Sequence, residues 1–411
     1  MANDIRMVCG LDIGNGYVKG KAAIDGRAPM MVDLPSVVTY TTGVDMPREP
    51  TDDYMARLDN ELDATVVSRA VAGMDAGRVF FGQRGIRSGQ SQREFNIENH
   101  VPKCQDALST MLVLGAIASV ALRDFHVRNH ELPDGGIDVA CVLGIALPIE
   151  DFMEWKDVYA STLTGDDHQV TVHNFEHDIS VRIHFERVLP MAEGAAAQYA
   201  ITELGAEFLQ LALDDARAHG ANIDEAYTGE ILASVTNTVG IDVGEGTVNF
   251  PVFMDGDVSV ESSRSINKGY GTVLTEVVSA TRNTPGLSFE SRKALGDFML
   301  DDSPMPAKVK KRARLQHYVD EQVQLFVRDL MKEFSNIYRK VGANIDAVYI
   351  YGGGATAVCP ALYPAVLAEV ADETGESIPV ICLDSSYSRD LNRTGLYELA
   401  CLGAAQVWPI E

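Results

Sequence analysis

One short phrase occurs twice in this chain. Leu11-Asp12-Ile13-Gly14-Asn15-Gly16-Tyr17-Val18 returns 230 residues later as Ile241-Asp242-Val243-Gly244-Glu245-Gly246-Thr247-Val248, and Asp25-Gly26 returns at the same offset as Asp255-Gly256. Each copy is an apolar run, an aspartate, glycines at alternate positions and a second apolar run. That is the pattern of a β-hairpin whose turn brings backbone N–H groups close to something. In 411 residues a duplicated hairpin implies two domains rather than one core.

Composition narrows the class. Apolar residues make up 46% and charged residues 23%, which suits a folded globular chain. No run approaches the roughly 18 apolar residues of a bilayer span. Met1-Ala2-Asn3-Asp4-Ile5-Arg6 leads towards a strand without a leader pattern, so a cytoplasmic protein without membrane contact is expected. Cys9, Cys104, Cys141, Cys359, Cys382 and Cys401 lie mostly in apolar segments without metal or redox spacing, and read as buried, reduced thiols. The net charge of −25 argues against direct nucleic-acid binding. Lys308-Val309-Lys310-Lys311-Arg312-Ala313-Arg314 reads as a solvated helix face, with a docking or filament contact as the alternative.

Strands are expected at 8–13, 17–24 and 30–38, with turns at 14–16 and 25–26. Residues 42–64, polar and acidic with Pro47 and Pro50, read as a surface insertion, and 85–92 as a mobile segment. A buried helix is expected over 104–123 and a doubly covered strand over 138–146. Pro190 introduces a small-residue helix running to about Leu204. The second phrase opens a new sheet at 238–254, and helices follow over 268–281 and 308–341. In the latter, Val319, Val323, Phe326, Val327, Leu330, Phe334, Ile337 and Val341 recur at spacings of three and four. A strand at 347–351 runs into Gly352-Gly353-Gly354, and a helix over 394–406 closes the chain. Both halves therefore read as α/β domains, each with a mixed sheet flanked by helices. The first comprises 1–190 plus 392–411, the second 191–391.

Alternating glycines remove Cβ atoms and permit positive φ, so successive N–H groups can form a nest for phosphate oxygens. An aspartate ahead of such a nest would repel phosphate but suits Mg²⁺ held through water. Asp12 and Asp242 are therefore the metal candidates. Asn15, Tyr17, Lys19 and Thr247 can hydrogen-bond phosphate. The glycine triplet offers a wall for a nucleoside. Glu193 can orient or deprotonate a water attacking a γ-phosphate; its alternative role is a helix-start glutamate favoured by the macrodipole. Two ordinary hairpins are the alternative to a phosphate site.

Together these motifs resemble the actin, heat-shock chaperone and sugar-kinase superfamily, and most closely bacterial plasmid-segregation actins of the ParM/StbA type. Pro190-Met191-Ala192-Glu193 resembles their lead into the first connecting helix, and Gly395-Leu396-Tyr397-Glu398-Leu399-Ala400 the second. Asn392-Arg393-Thr394-Gly395 resembles their Asn-x-x-Gly approach to the last helix, and the apolar strand ending in Leu147-Pro148 also looks like theirs. The resemblance implies an actin-like (ribonuclease H-like) fold, with ATP, or GTP, and Mg²⁺ in an interdomain cleft. It places Gly14, Asn15, Gly16, Tyr17, Lys19, Gly244, Glu245, Gly246 and Thr247 in phosphate loops. Lys268 and Gly269 fall near ribose or adenine, and Gly352, Gly353, Gly354 and Ala355 at the nucleoside. Asp12, Asp242 and Glu193 become the catalytic set, with Glu193 positioning the hydrolytic water. Glu245 departs from the pattern: its acid must point away from phosphate, or the second loop grips less tightly.

The implied function is an ATPase that polymerises with ATP into dynamic filaments for plasmid DNA segregation, reaching DNA through a separate adaptor protein. On the same fold, the alternatives are a small-molecule kinase of the sugar or acetate type and a cell-shape or cytoskeletal actin homologue.

Overall fold

A computed structural model of the chain describes residues 3–43, 46–71, 77–96, 101–374, 378–383, 385–388 and 390–409. The chain forms two compact units, Met1–Ala200 with Asn392–Glu411, and Ile201–Leu391. Each has its own apolar core.

The first unit holds β1 (Asn3–Ile13), β2 (Tyr17–Ile24), β3 (Met30–Pro35), β4 (Val38–Tyr40), β5 (Asp63–Val67), β6 (Arg78–Phe81), β7 (Gln92–Arg93), β8 (Ile137–Leu147), β9 (Asp167–Val172) and β10 (Ile179–Ala192). They make one sheet in the order β3-β2-β1-β8-β10-β9-β5-β6-β4-β7. β1 is antiparallel to β2 and parallel to β8, which is parallel to β10. The helix Ala107–Asn129 begins where Asp106 caps it, accepting the Leu108 N–H at 2.9 Å. Among the described residues it is the one helix long and apolar enough to cross a membrane, and it is largely buried in the unit.

In the second unit, β11 (Thr238–Val243), β12 (Val248–Phe250), β13 (Val252–Met254), β14 (Asp257–Val258), β15 (Arg264–Ile266), β16 (Ala347–Tyr351) and β17 (Val380–Cys382) share a sheet. β12 and β13 both pair antiparallel with β11 and are one return strand broken at Pro251, which has no N–H for the ladder. β16 lies parallel to β11, and β17 parallel to β16. The core order is thus return strand, β11, β16, β17, matching β2, β1, β8, β10 of the first unit in order and direction. Register repeats as well: Asp12 faces Lys19 as Asp242 faces Asn249, and Ile13 faces Val18 as Val243 faces Val248. The duplicated phrase is the legible part of a duplicated four-stranded core. The helix Pro306–Val341 contributes the apolar stripe expected of it to the second core.

Several expectations are corrected. The surface reading of 42–64 fails in its second half: the described residues up to Asp53 are mostly exposed, but Met55, Leu58, Leu62 and Ala64 belong to the first core. Asp63 is fully buried there, held by Arg78 at 2.7 and 2.9 Å and by Arg84 at 2.9 Å. The supposedly mobile 85–92 begins inside a helix, Gly82–Arg87, anchored by that same Arg84. Pro190 does not start a helix: β10 continues paired with β8 as far as Ala192 opposite Leu147, and the helix is Ala195–Glu203. The first unit accordingly extends to Ala200, beyond the expected boundary at 190.

The cysteines are not all reduced. Cys359 and Cys382 form a disulfide joining the helix Ala355–Thr374 to β17, whereas Cys9, Cys104, Cys141 and Cys401 are free. The basic run is only partly solvated. Lys308 binds Asp301 at 2.7 Å, Lys311 sits over the rings of Phe289 and Phe298, and Arg312 donates to the Ser303 carbonyl at 2.7 Å.

Candidate functional site

The first turn links β1 to β2. Gly14 N–H donates to the Tyr17 carbonyl at 3.0 Å, and a Cβ on Gly14 would sit 2.8 Å from that oxygen. Glycine is required there for closeness, not for positive φ, since Gly14 lies outside the left-handed region. Buried Ser36 pins the turn, its Oγ donating to the Gly14 carbonyl at 2.6 Å and its N–H to Gly16 O at 3.0 Å. Asn15, Gly16, Tyr17 and Lys19 remain partly exposed around it.

Charge gathers behind this turn. Asp12 is half-buried, and burial followed by the nearby Glu193 carboxylate raises its pKa above the usual carboxylate range. Lys103, Lys19 and a hydrogen bond from Asn392 act in the opposite direction. Glu193 stands in the turn after β10, its N–H bonded to Leu147 O at 2.6 Å. Its Oε1 accepts from Lys103 Nζ at 2.5 Å, and that Nζ also donates to the Ile13 carbonyl at 2.7 Å. The structure thus brings Asp12 and Glu193 to one corner.

The crossing of the C-terminal helix Leu391–Val407 shapes the same corner. A Cβ on Gly10 would lie 2.3 Å from Tyr397 N, and one on Gly144 2.2 Å from Leu396 O. These two glycines are partners in the β1–β8 ladder, so the helix backbone rests on a strip without side chains. Gly395 meets Ala196 in the same way, its Cβ position 1.9 Å from Ala196 O. This close approach accounts for the run Ala195-Ala196-Ala197 and for Asn392 beside Asp12.

The second turn repeats the first. Gly244 N–H donates to Thr247 O at 2.9 Å, and a Cβ on Gly244 would again lie 2.8 Å from the acceptor. Peptide groups from two other segments close around it. Tyr270 N–H donates to Gly244 O at 2.9 Å, Gly271 N–H to Glu245 O at 2.8 Å and Gly354 N–H to Val243 O at 2.8 Å. Gly352, at φ +99°, passes so close to Asp242 that a Cβ would lie 2.4 Å from Oδ1. Asp242 is buried. Gly353 is exposed with open space beside it, and Ala355, fully buried, begins the following helix. Gly269 packs on Glu245 O, whereas the Lys268 side chain turns to Asp329 at 3.0 Å. Glu245 is exposed and faces Arg292 at 3.4 Å. Gly244–Thr247, Gly269 and Gly352–Ala355 are therefore one assembly, from which the Lys268 ammonium departs.

Comparison with known proteins agrees with this architecture. Residues 10–195 match the family model described as "Actin like proteins N terminal domain". The actin-like protein Alp7A superposes with a TM-score of 0.65 at 16% identity, over 98% of this chain and 97% of its own. The psk41 ParM protein in apo form gives 0.55 at 16% identity, over 99% of both chains. Bacillus thuringiensis ParM with ATP gives 0.56 at 14%, over 97% and 99%. No curated protein sequence matches the chain. The fold is therefore actin-like, and residues 10–195 carry the match to an actin-like N-terminal domain.

Sequence reasoning missed Lys103, a lone lysine after Pro102 in the short 3₁₀ turn Lys103–Gln105. Its signal was available: a cation directly ahead of a long apolar helix is costly to bury without an acidic partner. Gly10 and Gly144 were missed because neither lies at a turn. Their need is created by a helix far away in sequence.

Proposed function

We propose that this protein is an actin-like ATPase that assembles with nucleotide into filaments and segregates plasmid DNA through an adaptor. The observation that carries the reading is the corner at the end of β1, where Asp12, Glu193 and Lys103 stand behind a glycine turn whose counterpart recurs in the second unit. The nucleotide-bound ParM neighbours support ATP as the ligand.

The residues suit this ligand class. With the Gly14 and Gly244 N–H groups closing the hairpins, Asn15–Gly16 and Glu245–Gly246 would present backbone N–H groups to phosphates, with the Tyr17 and Thr247 hydroxyls beside them. Gly353, with open space beside it, leaves room for a nucleoside. Among the described residues no three metal-ligating side chains cluster. A single carboxylate at each turn, Asp12 in one and Asp242 in the other, suits a hydrated Mg²⁺ held through its waters. Such an ion supplies charge neutralisation of the phosphates. Glu193 would accept a hydrogen bond from the attacking water and orient it. A polymer follows if copies join head to tail without closing into a ring.

Phosphate release and light scattering, followed together on micromolar protein with Mg-ATP and then Mg-GTP, test the reading. Scattering should rise on nucleotide addition and decay as phosphate is released. Glu193→Gln should keep the rise and slow release by about 10²-fold. Phosphate transfer to a sugar or acetate without scattering change would replace this reading with a kinase.

A further inference from the structure

Lys103 is 6% exposed, an expensive position for an ammonium unless its charge is answered. Its Nζ donates to Glu193 Oε1 at 2.5 Å and to Ile13 O at 2.7 Å. Its backbone N–H is fixed to the buried Asp151 carboxylate at 2.9 Å. Ile13 sits between Asp12 and Gly14, so one side chain ties the turn after β10 to the first glycine turn. We infer that Lys103 is a positioning residue for hydrolysis. It holds the Glu193 carboxylate against the end of β1 and supplies the positive charge that lets Asp12 and Glu193 share one corner.

This inference rests on the hydrolase reading and goes beyond it by assigning a residue that acts through Glu193. A plain structural ion pair would serve stability wherever it sat. Here the ammonium is shared between the candidate acid and the carbonyl that precedes the phosphate-type turn, so losing it should disturb Glu193 first and ligand affinity second.

The test is a double-mutant cycle in the full chain, using Lys103→Met, Glu193→Gln and the pair. Single-turnover phosphate release and binding of a fluorescent ATP analogue with Mg²⁺ are the readouts. Lys103→Met should slow release by about 30-fold or more, the range for losing a charged hydrogen bond, while affinity changes by less than about fivefold. In the Glu193→Gln background the same substitution should add less than about twofold. Multiplicative losses, an affinity loss as large as the rate loss, or no slowing at all would overturn the inference. If Lys103→Met melts below assay temperature, the pair decides: regaining at least half the lost melting temperature supports a unit, and no recovery overturns it. Wild-type protein that hydrolyses no nucleotide would sink the hydrolase reading, and this inference with it. Slowing by Glu193→Gln alone, with Lys103→Met at wild-type rate, would sink only the role of Lys103.

Discussion

The two glycine turns share sequence, register and hairpin bond, yet their neighbours have little in common. Behind the turn of β1 stand the charged side chains of Lys19, Lys103 and Glu193, and the neutral amide of Asn392. Behind the turn of β11 stand peptide groups from Gly269–Gly271 and Gly352–Gly354. A duplicated core has kept its backbone shape and divided its chemistry. The first copy sets charged side chains behind its turn, and the second packs backbone there.

The sharpest way to break this comparison is Gly352→Ala. In the second unit a left-handed glycine lies on the leading aspartate, so a methyl there meets both the backbone strain at φ +99° and a 2.4 Å clash with Asp242. We expect about 3 kcal/mol or more of destabilisation in urea unfolding, with loss of nucleotide binding. A variant within about 1 kcal/mol of wild type, the size of the gain from an unstrained glycine-to-alanine change, would show that the triplet is not the rigid wall described.

Only the second unit carries a cross-link. The Cys359–Cys382 bond closes a segment separated by 23 residues, worth about 3 kcal/mol by loop entropy. Thiol titration of denatured, unreduced protein should therefore count the four free cysteines, and prior reduction should lower the unfolding midpoint. Six thiols before reduction would remove the bond from the account.

The bond was not legible in sequence, for a reason shared with Lys103, Gly10 and Gly144. Hairpins, the apolar helix stripe and the glycine triplet are local patterns, and they stand where the spacing places them. Cys359 meets Cys382, Lys103 meets Glu193 and Gly10 meets Tyr397 only after the chain has folded back across a sheet. The same cause hid the burial of Met55, Leu58 and Leu62–Ala64. Asp63 looks like surface until Arg78 and Arg84 enclose it.

A subtler contrast lies in the leading aspartates. Burial and Glu193 raise the Asp12 pKa, so folding favours its protonated form. Its contribution to stability is complete below the unfolded-state pKa and is lost as pH rises through the folded one. At neutral pH, Asp12→Asn should raise the melting temperature of ligand-free protein, the gain fading as pH falls into the ordinary carboxylate range. The variant should also hydrolyse about 10²-fold more slowly. Asp242→Asn should gain less if the raising effect of Glu193 is peculiar to the first turn. Equal gains would mean that the charged corner is not peculiar to the first turn.

The smallest expected effect tests whether the turns are interchangeable where they differ in sequence. Glu245 occupies the place of Asn15, and it faces Arg292 with side-chain exposures of 51% and 37%. A pair so exposed contributes no more than about 0.5 kcal/mol, so Glu245→Asn should leave stability unchanged within that margin. If the second turn receives phosphate as the first does, removing a like charge a few ångströms away should tighten Mg-ATP binding by about twofold at low salt and less at high salt. Weaker binding after the substitution would mean that Glu245 helps to hold the ligand. The two turns would then differ in function as well as in surroundings.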